Sequence, residues 1–397
     1  MWQEIYGKKR WWCCCVLMLA TLVHVLIFVW HSHPSPVSQV VSTGHYLIAS
    51  LPYRREDSTV SSKNTKKSLV LSQRCYLYTG ITAHNTCCKM LDYTMNNGSN
   101  ILECAKNHRL QFSRNFRRGT TSAQTEETAL TPGGEATAGG RGGGAAGVYW
   151  VMVGDSHIRN VFDVLVSRIR GPRLQYRFAN DTEEHWQDIN QLFLLRRKNY
   201  HGMTLYVKHL DLPLRLTYHW DPRLERLPTF IHKWLSEPRK APSLLVTGTT
   251  LHWMKLTARI YFRDGPLAAV SAFYEYLYSI RSLLTKLTSY SSVVFKLQDH
   301  LQDDSKFTVR NLANIDLYNS LAKDLLSGTN VTTWDSTIPL SDLYAQQCKV
   351  NPRHTDDNKW KCQDKTHVGY IIIEKYVDML LNFVCNEFFN VTDDFCP

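Results

Sequence analysis

Val270, Phe273, Leu277, Ile280, Leu284 and Leu287 recur at steps of 3, 4, 3, 4 and 3 residues. That spacing puts all six on one face of an α-helix. A different pattern occupies residues 148–153, an unbroken apolar, β-branched and aromatic run that stops at Gly154. It predicts a strand buried on both faces. Residues 214–220, 243–247 and 293–297 predict further strands, and 159–169 and 315–326 predict helices. A last helix is expected over 369–383, with Ile372, Tyr376, Met379 and Phe383 turned inward. Strands alternating with helices imply an α/β domain over 148–390, with a mainly parallel sheet between helices. Ligands of such sheets bind beyond the carboxyl ends of the strands.

The chain ahead of this domain follows other rules. Residues 11–30 are twenty positions without a formal charge, close to the ~20 that cross a bilayer as a helix. Lys8, Lys9 and Arg10 precede them, so the positive-inside rule leaves residues 1–10 cytosolic and everything after 30 lumenal or extracellular. A cleaved signal peptide is the competing reading, but its apolar core is usually ~7–15 residues and ends at a small-residue site. Here the run ends in Val29-Trp30, which favours a signal-anchor. Cys13, Cys14 and Cys15 at the cytosolic edge suit either reversible palmitoylation or plain apolar filling. Residues 31–70 are rich in Ser, Thr and basic residues and read as a stem. Residues 71–118 are Cys-rich, and 119–147 contain TPGGEATAGGRGGGAAG, a composition that cannot bury enough apolar surface to order itself.

Eight cysteines (Cys75, Cys87, Cys88, Cys104, Cys348, Cys362, Cys385, Cys396) and four sequons (Asn97, Asn180, Asn330, Asn390) all fall after residue 30. An even cysteine count in an oxidising compartment reads as disulfides, with the connectivity open. No Cys-x-x-Cys pair and no His/Cys ligand spacing occurs, so no metal is expected. The net charge of +11 suits acidic ligands or surfaces as well as it suits an inert basic surface. With no Lys/Arg-rich block and 12% aromatic residues, a nucleic-acid-binding arm is not expected.

Two short motifs carry candidate chemistry. Gly154-Asp155-Ser156-His157 stands where the first buried strand ends and a helix begins, so Ser156 projects into the ligand crevice. Alone, G-D-S is weak evidence. Asp364-Lys365-Thr366-His367 precedes the last helix. An Asp three residues before a His can fix the imidazole tautomer and leave Nε2 to take a serine proton. The plain alternative is an Asp that only caps the helix. Together the motifs give the order Ser156, Asp364, His367, one workable arrangement of a triad. Arg159 is a candidate for holding an acyl or acidic group, with an exposed first-turn arginine as its bland counterpart.

VMVGDSHIRN at 151–160, LLVTGTTLHWMK at 244–255 and CQDKTHVGYIIIEKYVDMLLNFVCN at 362–386 resemble the GDSL-like SGNH/PC-esterase family. The likeness is greatest to the lumenal catalytic domain of the animal sialic acid O-acetyltransferase. VVFKLQD at 293–299 and NIDLYNSLA at 314–322 are similar to that domain too. The plant trichome-birefringence-like polysaccharide O-acetyltransferases share the GDS and D-x-x-H arrangement and a type II anchor. The resemblance implies a three-layer SGNH-hydrolase-like fold, with Ser156 as nucleophile, His367 as general base and Asp364 as its orienter. It further implies Gly248 as a backbone oxyanion donor. Thr250 stands near where many relatives have Asn, and His157 where they often have Leu, Arg or Thr.

By the same resemblance, the chain is expected to be a single-pass type II Golgi membrane enzyme that moves acetyl onto the hydroxyls of a glycan or sialic-acid-type acceptor. Its co-substrate is an acetyl donor. The animal enzyme carries a multi-spanning region for acyl handling, and no second apolar stretch of spanning length occurs here. Acetyl is therefore expected from acetyl-CoA or through a separate multi-spanning partner. An esterase that removes such groups, and a catalytically weak glycan-binding scaffold, are the alternatives of the same fold.

Overall fold

A computed structural model describes residues 76–79, 82–85, 148–179, 185–194, 202–211, 214–302, 308–351 and 359–385. The span 11–30, the stem, the Gly-rich segment, the sequons at Asn97, Asn180 and Asn390, and Cys75, Cys87, Cys88, Cys104 and Cys396 lie outside them. The chain divides into two units, 1–61 and 62–397, and the first contains none of the described residues. Among the described residues no helix is long and apolar enough to cross a membrane. From the Cys-rich segment come β1 (Tyr76–Thr79) and β2 (Thr82–Asn85), an antiparallel pair.

The organising strand is β3 (Val148–Gly154). Successive side chains on a strand point to opposite faces, so Val148, Trp150 and Met152 enter one core and Val151 and Val153 the other. Burial on both faces is why this run reads as continuously apolar. β3 pairs in parallel with β7 (Leu214–Trp220) on one side and β8 (Leu244–Gly248) on the other. β9 (Ser292–Lys296) and β10 (Thr332–Trp334) continue the parallel half. Beyond β7 the sheet is antiparallel, through β6 (Leu205–His209), β4 (Leu174–Phe178) and β5 (Gln187–Asp188). The order is β10-β9-β8-β3-β7-β6-β4-β5, a mixed, mainly parallel α/β sheet.

Helices cover both faces. α1 (Ser156–Arg168), α8 (Thr337–Val350) and α9 (Tyr370–Cys385) pack on the Trp150 side. α3 (Leu227–Ser236), α6 (Pro266–Leu287) and α7 (Leu312–Leu326) pack on the Val151 side. Three short helices complete the described chain: α2 (Ile189–Leu194), α4 (Leu251–Leu256) and α5 (Ala258–Asp264). All six residues of the expected α6 stripe are buried. Each such aliphatic or aromatic side chain contributes about 1.5–3 kcal/mol when fully withdrawn from water.

Two expectations need correcting. The helix expected from 159 begins at Ser156, because the Asp155 carboxylate accepts the His157 N–H at 2.9 Å and caps the earlier turn. In α9, Ile373, Val377, Leu380 and Leu381 are buried besides Ile372, Tyr376 and Met379, whereas Phe383 is only half-buried. The buried face is therefore wider than one stripe, and the polar residues Glu374, Lys375 and Asp378 are confined to the remaining side. β4, β6, α3 and α8 were not among the expected elements.

Candidate active site

The site begins with glycines. Gly154 and Gly248 are register partners at the ends of β3 and β8. A Cβ on Gly154 would lie 2.7 Å from the Gly248 oxygen, and one on Gly248 would lie 2.5 Å from the Lys296 oxygen. Only hydrogen fits between the three strand ends, so β3, β8 and β9 deliver their following residues to one place. β3 has its neighbours from opposite directions of chain progress here, a topological switch point.

The turn after β3 is held from several sides. Tyr218 O–H lies 3.2 Å from the Gly154 oxygen and 3.1 Å from that of Asp155, and Asp221 N–H donates to the Gly154 carbonyl at 3.0 Å. Ser156 thus occupies the first position of α1, half-buried, where the helix dipole favours developing negative charge.

α9 brings the other half. It lies against α1 in the shared core, and Arg168 on α1 pairs with Asp378 and donates to the Glu374 carbonyl at 2.6 Å. The loop before α9 is tied to α8 by the Cys348–Cys362 disulfide and by Tyr344, whose ring stacks on Trp360 at 5.9 Å and whose hydroxyl donates to the Trp360 carbonyl. Gln302 donates to the Asp364 carbonyl at 3.2 Å. At Gly369 a Cβ would meet the Trp360 oxygen at 2.0 Å, so glycine alone lets the loop fold back there.

These constraints bring Ser156, His367 and Asp364 together. Ser156 Oγ lies 2.6 Å from His367 Nε2, and His367 Nδ1 lies 2.9 Å from Asp364 Oδ2. The tautomer that satisfies both bonds donates Nδ1–H to the carboxylate and accepts the serine proton at Nε2. The other carboxylate oxygen, Oδ1, accepts the N–H groups of Thr366 at 2.9 Å and His367 at 3.1 Å. The helix begins only at Tyr370, so Asp364 does not cap it; the carboxylate closes the turn over residues 364–367 and orients His367. Burial raises its pKa, but the His367 hydrogen bond and charge and the two backbone donors outweigh it, holding the carboxyl at about 2.

The other candidates are placed differently. Gly248 has the packing role described above. Thr250 is buried and donates its hydroxyl to the Thr249 carbonyl at 2.5 Å, so the side chain is committed to its own backbone. Arg159 is buried rather than exposed, with its guanidinium 5.8 Å from the Trp220 ring centroid. Asn330 is exposed, just before β10. Among the described residues no group of three or more His, Cys, Asp or Glu could hold a metal ion.

Sequence reasoning missed an inner ring of polar residues. His157 lies 5.0 Å from His367 between ring centroids, 3.6 Å from Asp299 Oδ2, and within 3.3 Å of the Gln298 amide nitrogen. Lys296 donates to Asp299 at 2.7 Å. Burial pushes Asp299 up, but Lys296 and His157 outweigh it and hold the carboxyl well below its ordinary range. Half-buried His252 stands edge-on to Trp220 at 5.9 Å. Burial lowers its pKa, against the pull of Asp155 and with the help of Lys255, His157 and Arg223. The signal for these residues was positional: each follows the carboxyl end of β3, β7, β8 or β9, or ends one of them. A crevice of about 10 Å³ lies between Asp155, His157, Gly248, Thr250 and Gln298.

Compared with known proteins, the chain matches no family model, and no curated protein matches it.

Proposed function

We propose that this protein is a serine O-acyltransferase of three-layer SGNH-hydrolase-like fold, a single-pass type II Golgi membrane protein that acetylates glycan hydroxyls. The observation that carries the reading is the unbroken chain from Ser156 Oγ to His367 Nε2, at 2.6 Å, and from His367 Nδ1 to Asp364, at 2.9 Å. Ser156 Oγ attacks the carbonyl of an acetyl donor, such as acetyl-CoA or an acetyl group delivered by a membrane partner, while His367 Nε2 takes its proton. Collapse of the tetrahedral adduct expels the donor's leaving group, which takes that proton, and leaves acetyl-Ser156. A glycan hydroxyl then attacks the acetyl-serine as His367 accepts its proton. Expulsion of Ser156, reprotonated by His367, releases the acetylated sugar. The Ser156 and Gly248 N–H groups are the proposed oxyanion donors. With the Thr250 hydroxyl bonded to Thr249, no side-chain donor is assigned there.

An esterase of the same fold is the second reading. The same Ser156–His367–Asp364 chain supports it, with water as the final acceptor in place of a sugar hydroxyl.

The full chain, incubated with acetylated and unacetylated glycans with and without acetyl-CoA, separates these readings by mass spectrometry. Acetyl gain on sugar supports transfer, and loss supports the esterase. Ser156→Ala should abolish the acyl-enzyme seen by intact mass after an activated ester. Acyl-enzyme at the wild-type level in that variant overturns both.

A further inference from the structure

The antiparallel half of the sheet has one apolar face, where Leu174, Tyr176, Leu205, Val207, Leu214 and Leu216 join the α1 and α9 core. Its other face carries aromatic and cationic side chains and opens into a cavity of about 420 Å³. That volume lies within the ~300–1,000 Å³ of small-molecule sites. The cavity is lined by Tyr149 on β3, Arg215 on β7, Tyr206 and Lys208 on β6, Arg177 on β4 and Trp186 just before β5. Strand register places Arg215 between Tyr149 and Lys208, and Arg177 beside Tyr206. The Arg177 guanidinium sits 4.6 Å from the Tyr206 centroid and 5.3 Å from that of Trp186, and Lys208 Nζ lies 4.0 Å from Trp186.

Three cations therefore share one concave surface, and none of the described lining residues is acidic. Arg177 Nε is buried without a hydrogen-bond partner among the described residues. Burying a donor unpaired is costly, and a surface of one sign concentrates ligands of the other. Flat rings beside the cations suit a ligand with an apolar face as well as a charge. Sugar rings have such faces in their axial C–H groups. Nucleotide phosphates are usually cradled by backbone N–H groups at a glycine-rich turn or helix N-terminus. Among the described residues no glycine and no helix lines this cavity; they wall it with strand side chains, with Trp186 next to β5. Guanidinium forks match the planar carboxylate and the sulfate of acidic sugars.

We propose that this cleft binds an acidic saccharide, a sugar bearing carboxylate or sulfate, at a site separate from Ser156. Tyr149 and Gly154 are five residues apart on β3, about 17 Å by strand rise, and the cleft lies toward the amino end of that strand. The cleft would hold one part of an anionic glycan chain away from the reacting centre. The ligand class accords with the proposed glycan chemistry, but binding here requires no triad.

The test is calorimetric titration of the full chain with a sulfated, uronate-containing tetrasaccharide, a neutral tetrasaccharide and ADP. The acidic sugar should bind, weaken as salt is raised, and exceed both other ligands by about tenfold or more. Arg215→Gln alters an exposed side chain and should spare the fold while weakening binding about tenfold, the scale of one charged hydrogen bond. Trp186→Ala should weaken binding as well. Neither change should alter turnover of a small activated ester. Ser156→Ala should bind the acidic sugar as wild type does, so loss of acyl-enzyme chemistry and loss of cleft binding are separate failures. Equal affinity for ADP or for the neutral sugar overturns the proposal. So does wild-type affinity in Arg215→Gln and Lys208→Gln, or acidic-sugar binding that depends on Ser156.

Discussion

Lys296 and Asp299 form an ion pair closed off from solvent, with Nζ donating to Oδ1 at 2.7 Å and side chains only 1% and 2% exposed. The Lys296 ammonium also donates to the Leu297 carbonyl at 3.1 Å and lies 5.2 Å from the Tyr376 ring centroid. The pair joins the end of β9 to the ring of residues behind Ser156, since Asp299 is also the partner of His157. Removing one member of such a pair leaves the other charge buried and uncompensated. Asp299→Ala should therefore lower unfolding stability by about 3–5 kcal/mol in urea titration. The sign with pH comes from a depressed carboxyl: the pair stabilises fully above the unfolded carboxylate range and loses its effect as acid protonates Asp299. A loss below about 1 kcal/mol would mean solvent reaches the pair.

Asp364→Asn separates the turn-closing role of this side chain from its orienting role. The Asn carbonyl oxygen can still accept the Thr366 and His367 N–H groups, so the turn should survive. The amide cannot accept Nδ1–H from His367, so the tautomer is lost and turnover should fall by roughly 10⁴, the scale of this change in a serine protease triad. With the wild-type carboxyl held at about 2, its contribution to stability is present above the unfolded value near ~3.9 and is lost as pH falls through about 2. Loss of activity on acidification above pH ~4 must then come from another group. A pH–rate profile with near-normal turnover in Asp364→Asn would remove the triad.

His300 bridges two helices. Its Nδ1 lies 2.5 Å from Asp342 on α8 and its Nε2 lies 2.8 Å from Asp316 on α7. The Asp342 hydrogen bond, opposed by burial and supported by Asp316, raises its pKa to about 9. A raised imidazole stabilises fully below its unfolded value of ~6.5 and loses that effect as pH rises through about 9. Melting temperature should fall across this window in the wild type and much less in His300→Gln. Parallel curves for the two would show that the clamp is not linked to folding.

The Cys348–Cys362 bridge closes a segment with a sequence separation of 14. Chain-entropy arguments assign about 3 kcal/mol to a loop of that size. Replacing both cysteines by serine should cost about that much stability. It should cost activity sooner on warming, because the bridge anchors the loop that carries Asp364 and His367. Equal thermal inactivation of the variant and the wild type would assign that anchoring to Tyr344 and Gln302 alone.

Gly248→Ala keeps the backbone N–H but adds a Cβ 2.5 Å from the Lys296 carbonyl. Overpacking of this kind costs about 1–3 kcal/mol, so chemical denaturation should register the change as well as turnover. Normal stability with normal turnover would show that the strand ends move apart to admit the Cβ.

The elements legible in the sequence were those whose side chains have one kind of surroundings. β3, β7 and α6 bury their apolar residues against a sheet or helix layer, so period and composition determine them locally. The Ser156 and Asp364–His367 motifs were legible for a related reason, since one sits at a helix start capped by Asp155 and the other in a turn closed by its own aspartate. β4 and β6 went unread because their half-sheet alternates apolar and polar positions over five residues each, a signal as short as a loop's. α9 read as one stripe because periodicity cannot show how wide the covered face is. Only the tertiary structure decided that residues 211 positions apart meet at 2.6 Å. It likewise decided that His157, Lys296 and Asp299 form a buried network, and that Thr250 turns to its own backbone. Those outcomes depend on sheet order, on three strand ends closing over Gly154 and Gly248, and on the packing of α1 against α9. Local sequence sets which residues can form an element, whereas contacts across a sheet are set by which strands become neighbours.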